Sequence, residues 1–174
     1  MKNSQNAPVG HKVGVIMECC QKKIKEANQK VKRICPTCNN LGVNVKMITL
    51  QSLLKESPKK LINDSLKYSF CKNKNCEVVY FTSIKTHLFL TTDLIVKVTS
   101  KDEGIDVPTC YCFNYTRKSI LEDLKLNGKT TAIDDIKAKM KNPGCFCEKS
   151  NPQGSCCLSN NLQWIEKAKK QLGI

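Results

Sequence analysis

Twelve cysteines in 174 residues constrain this chain more than any other feature. Ten of them fall between Cys35 and Cys157, as a C-x2-C, a C-x4-C, two C-x-C pairs and an adjacent Cys-Cys. Residues 1–34 are polar and hold no sustained apolar core, so no signal peptide is expected. No apolar run approaches the length of a membrane helix. The expected compartment is therefore the cytoplasm, where thiols stay reduced and such spacings argue for metal rather than disulfides. An exported disulfide protein is the competing reading.

Composition supports a metal-dependent fold. Hydrophobic residues make up 40% and charged residues 25%, with one Trp, four Tyr and five Phe, so the core is thin for the length. Bound metal offsets such a shortage, because it favours the folded state alone. The length suits one domain or two small ones. The formal net charge is +14. Eight metal-bound thiolates, one Zn2+ and one [2Fe-2S] core would leave about +10. Such a surface suits nucleic acid, an acidic membrane or an acidic redox partner. The lysines are spread along the whole chain with few aromatics among them, which favours a solvated basic surface over a nucleic-acid interface.

Taken in order, residues 1–33 read as a flexible tail: 1–14 are polar, a short apolar run spans 13–17, and 21–32 are rich in Lys and Gln. Cys19 and Cys20 within it are adjacent, so their side chains diverge; free thiols and transient soft-metal binding are both open. A β-rich zinc-binding domain is expected over 34–98. Its strands are predicted at 43–50, 68–71, 77–82 and 94–98, with Thr49 capping a short helix over 50–55 that Ser57-Pro58 breaks. His87 is lone and reads as surface or packing. Residues 99–109 are polar, contain Gly and Pro, and are expected to form a linker. A helical domain is expected over 110–174. Thr116 caps a helix with Ile120, Leu121 and Leu124 on one face, and Gly128 ends it. A second helix starts at Thr131 and carries Ile133, Ile136 and Met140 until Asn142-Pro143-Gly144 stops it. A third runs over 161–172 with Leu162, Ile165, Ala168 and Leu172 toward the core, and Trp164 reads as a packing residue.

The cysteine groups point to two centres. Cys35-Pro36-Thr37-Cys38 and Cys71-x4-Cys76 place four thiolates on two tight turns, which suits tetrahedral Zn2+ with no open position. A tetrathiolate iron site is the chemical competitor. Cys110 and Cys112 are alternate residues of an extended segment and point the same way, so they can supply two ligands of a [2Fe-2S] cluster. The other two come from among Cys145, Cys147, Cys156 and Cys157. Cu(I) is the competitor here, because thiolates are soft.

Several stretches together resemble a known family. They are Cys35-Pro-Thr-Cys38, residues 48–55 (ITLQSLLK), Phe70-Cys71 through Cys76-Glu77-Val78-Val79-Tyr80-Phe81, residues 107–113 (VPTCYCF), and Cys147 through Asn151-Pro152-Gln153-Gly154 to Cys156-Cys157. In this order they look like the amino-terminal domain of the CopZ copper chaperones. The second half is also similar to the bacterioferritin-associated ferredoxin [2Fe-2S] domain, with a longer gap between its last two cysteines. The resemblance implies one zinc on Cys35, Cys38, Cys71 and Cys76, and one [2Fe-2S] cluster on Cys110, Cys112, Cys147 and Cys157. Cys147 is chosen over Cys145 by its distance from the Asn-Pro-x-Gly turn. The family's carboxy-terminal copper-binding loop, Met-x-Cys-x-x-Cys, has no counterpart in these residues; Met17-Glu18-Cys19-Cys20 does not supply it. The resemblance then implies cluster-driven reduction of Cu(II) to Cu(I) in trans rather than copper delivery.

The expected protein is α+β. A zinc-ribbon-like β portion packs beside a small helical [2Fe-2S] portion. Its function is one-electron transfer linked to copper or another soft metal, with a redox partner protein or a copper-binding domain in trans and no membrane insertion. The alternatives are a non-redox thiol carrier of Cu(I), zinc or mercury, and a zinc-dependent nucleic-acid-binding module. His11 and His87 sit in no nucleophile–base arrangement, so no hydrolase is expected.

Overall fold

Val78, Val79, Tyr80 and Phe81 form an unbroken apolar run, and the chain uses it as the fully buried strand of a small sheet. The structure, a computed structural model, describes residues 33–174, which fall within one compact unit. The readings of residues 1–32, including His11, the apolar run and Cys19-Cys20, lie outside the described residues. The fold is α+β, as the sequence predicts.

In the first half, strands β1 (Val43–Asn44), β2 (Ser69–Phe70), β3 (Val78–Phe81) and β4 (Leu88–Leu90) pair antiparallel in that order. Phe70 pairs with both Val43 and Tyr80, and Phe81 with Leu88. Two core clusters draw on β3. Val79 and Tyr80 pack with Leu50, Leu54, Tyr68 and Phe89; Val78 and Phe81 pack with Cys35, Cys71 and Cys76. An irregular register between Val78 and Tyr80 breaks strict alternation and lets neighbouring residues serve both clusters. Gly42 lies against this strand: a Cβ there would stand 2.5 Å from the Phe81 ring.

Local propensity misleads at two places. The β-branched residues within 43–50 predict a long strand, but helix α1 begins at Met47 and runs to Leu53. Leu50, Leu53 and Leu54 are all buried, so the i, i+3, i+4 spacing of these leucines outweighs the propensity of Ile48 and Thr49. Thr49 lies inside the helix rather than capping it, and Lys46 is the N-cap. Pro58 does not break a helix; it occupies the first turn of helix α2 (Glu56–Lys59), where its missing N–H costs nothing. Residues 94–98 form no strand beyond the single bridge Leu54–Leu94. Leu94 and Val98 are buried while Ile95 is exposed, a turn-like spacing, and a 3-10 turn at Thr91–Asp93 precedes them.

In the second half, β5 (Pro108–Cys110) and β6 (Tyr115–Thr116) form a hairpin, followed by α3 (Arg117–Asn127) and α4 (Ala132–Lys139). Helix α5 (Cys147–Ser150) and helix α6 (Leu158–Leu172) close the chain. Thr116 caps α3 by accepting from the Ser119 N–H, and Gly128 ends it in the left-handed conformation at φ 66°. Ile120 and Leu124 of α3 pack with Ala132, Ile165 and Ala168. Helix α6 starts at Leu158, earlier than predicted, and Leu162 is exposed rather than core-facing. Trp164 packs on this cluster with the Arg117 guanidinium 5.0 Å from its ring centre. No helix among the described residues is long and apolar enough to cross a membrane.

Residues 99–109, expected as a linker, are bonded in both directions. Arg117 donates to the carbonyls of Thr99, Asp102 and Gly104, and the Tyr111 hydroxyl donates to the Lys97 carbonyl. Lys101 reaches back to the carbonyls of Asn73 and Cys76. Helix α1 packs directly on α5, where the buried Thr49 hydroxyl donates to the Glu148 carbonyl at 2.7 Å.

Candidate metal centres

The Cys35–Cys38 turn is built by backbone geometry. The Asn39 N–H donates to the Cys35 carbonyl at 2.9 Å, the Cys35 N–H donates to the Asn40 carbonyl, and Asn39 takes φ 57°. Asparagine tolerates that left-handed conformation better than most residues. The second turn leaves β2 at Cys71, and the Cys76 N–H closes it on the Asn73 carbonyl. The two turns bring Cys35, Cys38, Cys71 and Cys76 together with all four sulfurs within 4.8 Å of one another. Cys35 Sγ and Cys76 Sγ are 4.0 Å apart, and Cys38 Sγ and Cys71 Sγ 3.5 Å. A tetrahedral zinc with Zn–S near 2.3 Å spaces its sulfurs about 3.8 Å apart. The donor set and its spacing therefore fit Zn2+.

The thiols of this group differ in acidity. Burial opposes the Cys38 thiolate, but hydrogen bonds from Asn40, Asn73 and Cys71 outweigh it and bring the thiol down to about 6. Burial pushes Cys71 and Cys76 up. One ready thiolate beside two thiols that hold their protons suits a cation site: a metal ion supplies the positive charge that lets Cys71 and Cys76 deprotonate.

The second half gathers the other predicted ligands. Cys110 is 1% exposed, Cys157 3% and Cys147 8%, whereas Cys145 and Cys156 are exposed. Cys112 Sγ is 3.5 Å from Cys147 Sγ and 3.1 Å from the Ser150 hydroxyl. Cys110 and Cys157 pack in one buried cluster with Cys112 against it, and Cys112 in turn meets Cys147. The neighbouring Cys157 thiol is the main cause that brings Cys147 down to about 5 and Cys110 down to about 7, and the same neighbours push Cys157 itself up. Burial raises Cys112 to about 11. Nearby backbone N–H groups favour the thiolates, those of Cys112 and Phe113 at Cys110 and that of Phe146 at Cys112. All ten described cysteines are free of disulfides.

The ends of the intervening segment are held by an Asn-Pro-x-Gly turn. The Asn151 amide donates to the Ser155 carbonyl, and the Gly154 N–H donates to the Asn151 carbonyl at 2.8 Å. Gly154, at φ 64°, lies against α1: a Cβ there would meet the Thr49 hydroxyl at 3.1 Å. Asn161, fully buried, donates to the carbonyls of Thr109 and Cys157 and ties β5 to the start of α6. Sequence reasoning missed Lys101, Asn161, Ser150 and Asn73. Each acts across a turn or a long sequence separation, and none belongs to a spacing motif.

The described residues thus define a cysteine-rich metal-binding protein of mixed α and β structure, with one tetrathiolate centre that fits Zn2+. The family model of the CopZ zinc binding domain matches residues 32–95. The copper chaperone CopZ of Archaeoglobus fulgidus is 32% identical over 123 residues, 71% of this chain and 57% of that protein. The X-ray structure of the A. fulgidus CopZ N-terminal domain superposes with a TM-score of 0.60 at 30% identity, covering 81% of this chain and 98% of that one. The chain belongs to the family of CopZ amino-terminal domains.

Proposed function

We propose that this protein is a two-centre metalloprotein for one-electron transfer in copper handling. Cys35, Cys38, Cys71 and Cys76 hold a structural Zn2+, because four thiolates leave no open position. Cys110, Cys112, Cys147 and Cys157 hold a [2Fe-2S] cluster. The observation that carries this reading is that Cys110, Cys147 and Cys157 are buried, with Cys112 packed against Cys110 and Cys157 and 3.5 Å from Cys147, while Cys145 and Cys156 are exposed. When bound, such a cluster supplies one-electron chemistry, here the reduction of Cu(II) to Cu(I). The chain's own residues exclude water at Cys110, Cys147 and Cys157 and stabilise negative sulfur through the N–H groups of Cys112, Phe113 and Phe146. The start of α6, immediately after Cys157, adds favourable partial positive charge. Copper as the handled metal is supported by kinship to a copper chaperone. The free thiols favour a reducing cytoplasm, and the partner in this reading is a redox protein or a copper-binding domain in trans.

The test is anaerobic purification followed by metal analysis, visible absorption, and EPR before and after dithionite. About two Fe and one Zn per chain, with an EPR signal that appears on reduction, is the expected result. A colourless, iron-free protein that retains zinc after attempted cluster reconstitution would refute the redox reading and favour a thiol carrier.

A further inference from the structure

Among the described residues, two thiols remain outside both centres, and the fold puts them in one place. Cys145 and Cys156 are the exposed members of the ten described cysteines. Both line a single open cavity of about 580 Å³, together with Cys147, Lys149 and Ser155. Each stands close in sequence to a buried thiol: Cys145 is two residues before Cys147, and Cys156 directly precedes Cys157. Because Cys147 lines the same cavity, the cavity lies at the edge of the second group of thiols.

The donor set selects the ligand. Two thiols with no histidine beside them are too few for a closed zinc site, which needs four ligands. The one carboxylate lining the cavity, Glu148, pairs with Lys46 at 2.5 Å. Two thiolates do satisfy a soft monovalent ion that accepts low coordination. We propose that Cys145 and Cys156 form a landing site for one Cu(I) ion, held between their two sulfurs. Binding forms two Cu–S bonds and releases two protons, so the bound unit carries one negative charge. Lys149 on the cavity wall offsets it. The choice of copper rests on the function proposed above; the site itself does not need the cluster.

The experiment is an anaerobic Cu(I) titration of the full zinc- and iron-loaded chain in competition with a coloured Cu(I) chelator. The parent is compared with Cys145→Ser/Cys156→Ser and with Cys19→Ser/Cys20→Ser as a control. The first double variant is expected to lose one equivalent of Cu(I) uptake relative to the parent, with zinc, iron and visible absorption unchanged; the control keeps that equivalent. Equal uptake by the parent and by Cys145→Ser/Cys156→Ser would overturn the proposal. So would parent uptake accompanied by stoichiometric release of zinc or iron, because the copper would then occupy the other centres. An iron-free protein that still shows the one-equivalent difference would refute the cluster while upholding the landing site.

Discussion

Lys101 offers the sharpest test of how the zinc centre is supported. Its ammonium group donates to the carbonyls of Asn73 and Cys76, both at 2.8 Å, and so clamps the loop that presents Cys71 and Cys76. Its charge also favours the Cys71 thiolate and lies 5.9 Å from the centre of the Phe70 ring. Lys101→Met keeps most of the stem and removes both bonds and the charge. Hydrogen bonds to charged groups contribute about 1.5–3 kcal/mol each. Asn73 and Lys101 are only half-buried, so water recovers part of this, and a net loss of about 2 kcal/mol is expected. At 1.4 kcal/mol per tenfold, that is a drop in zinc affinity of roughly 30-fold, inside the range of about 10–100-fold found for residues that orient metal ligands. Zinc affinity is measured by competition with a chromophoric chelator, with Lys97→Met, a change at an exposed lysine, as the control. Affinity within twofold of the parent for Lys101→Met, with unchanged circular dichroism, would refute the clamp.

Four further outcomes follow from the geometry. Cys71→Ser is expected to abolish zinc retention and lower the unfolding temperature sharply; full zinc content by elemental analysis would remove Cys71 from the site. Cys147→Ser is expected to abolish visible absorption while Cys145→Ser spares it, and the reverse pattern would exchange their roles. Gly42→Ala drives a methyl group into the Phe81 ring and to 3.0 Å from the Phe70 carbonyl, an overpacking cost of about 1–3 kcal/mol that should lower the unfolding temperature of zinc-loaded protein; no change would mean Phe81 yields freely. Cys71 and Cys76 hold their protons at neutral pH and must release them to bind zinc, whereas Cys38, near 6, has largely released its own. Zinc affinity should therefore rise by at least about 100-fold from pH 7 to 8 and fall by as much on acidification; a pH-independent affinity in competition titrations would contradict the raised thiols.

What was legible in the sequence is what is local. The two cysteine turns, the Thr116 cap and the Gly128 stop are short-range signals, and all appear where the residues predict them. Helix α1 was not legible from propensity, because Ile48 and Thr49 favour a strand until the burial of Leu50, Leu53 and Leu54 decides otherwise. The span 94–98 looked like a strand, but β4, just upstream, takes the place beside β3. Within the C-x-C at 145–147, spacing alone does not rank the two thiols; burial of one and exposure of the other separates them. Lys101 and Asn161 were invisible for another reason: each bonds to backbone carbonyls, which carry no residue identity for a motif to record.

The bonds made by Arg117, Lys101 and Thr49 bear on how this protein can be divided. A fragment that stops at residue 98 loses Lys101 from the Cys71–Cys76 loop. One that starts at residue 110 leaves Arg117 without the three carbonyls it grips. Either fragment strips Thr49 or Glu148 of its partner across α1 and α5. The cysteine-rich halves are therefore poor candidates for exchange as separate cassettes, and a graft of either onto a foreign protein has to carry the 97–109 segment with it.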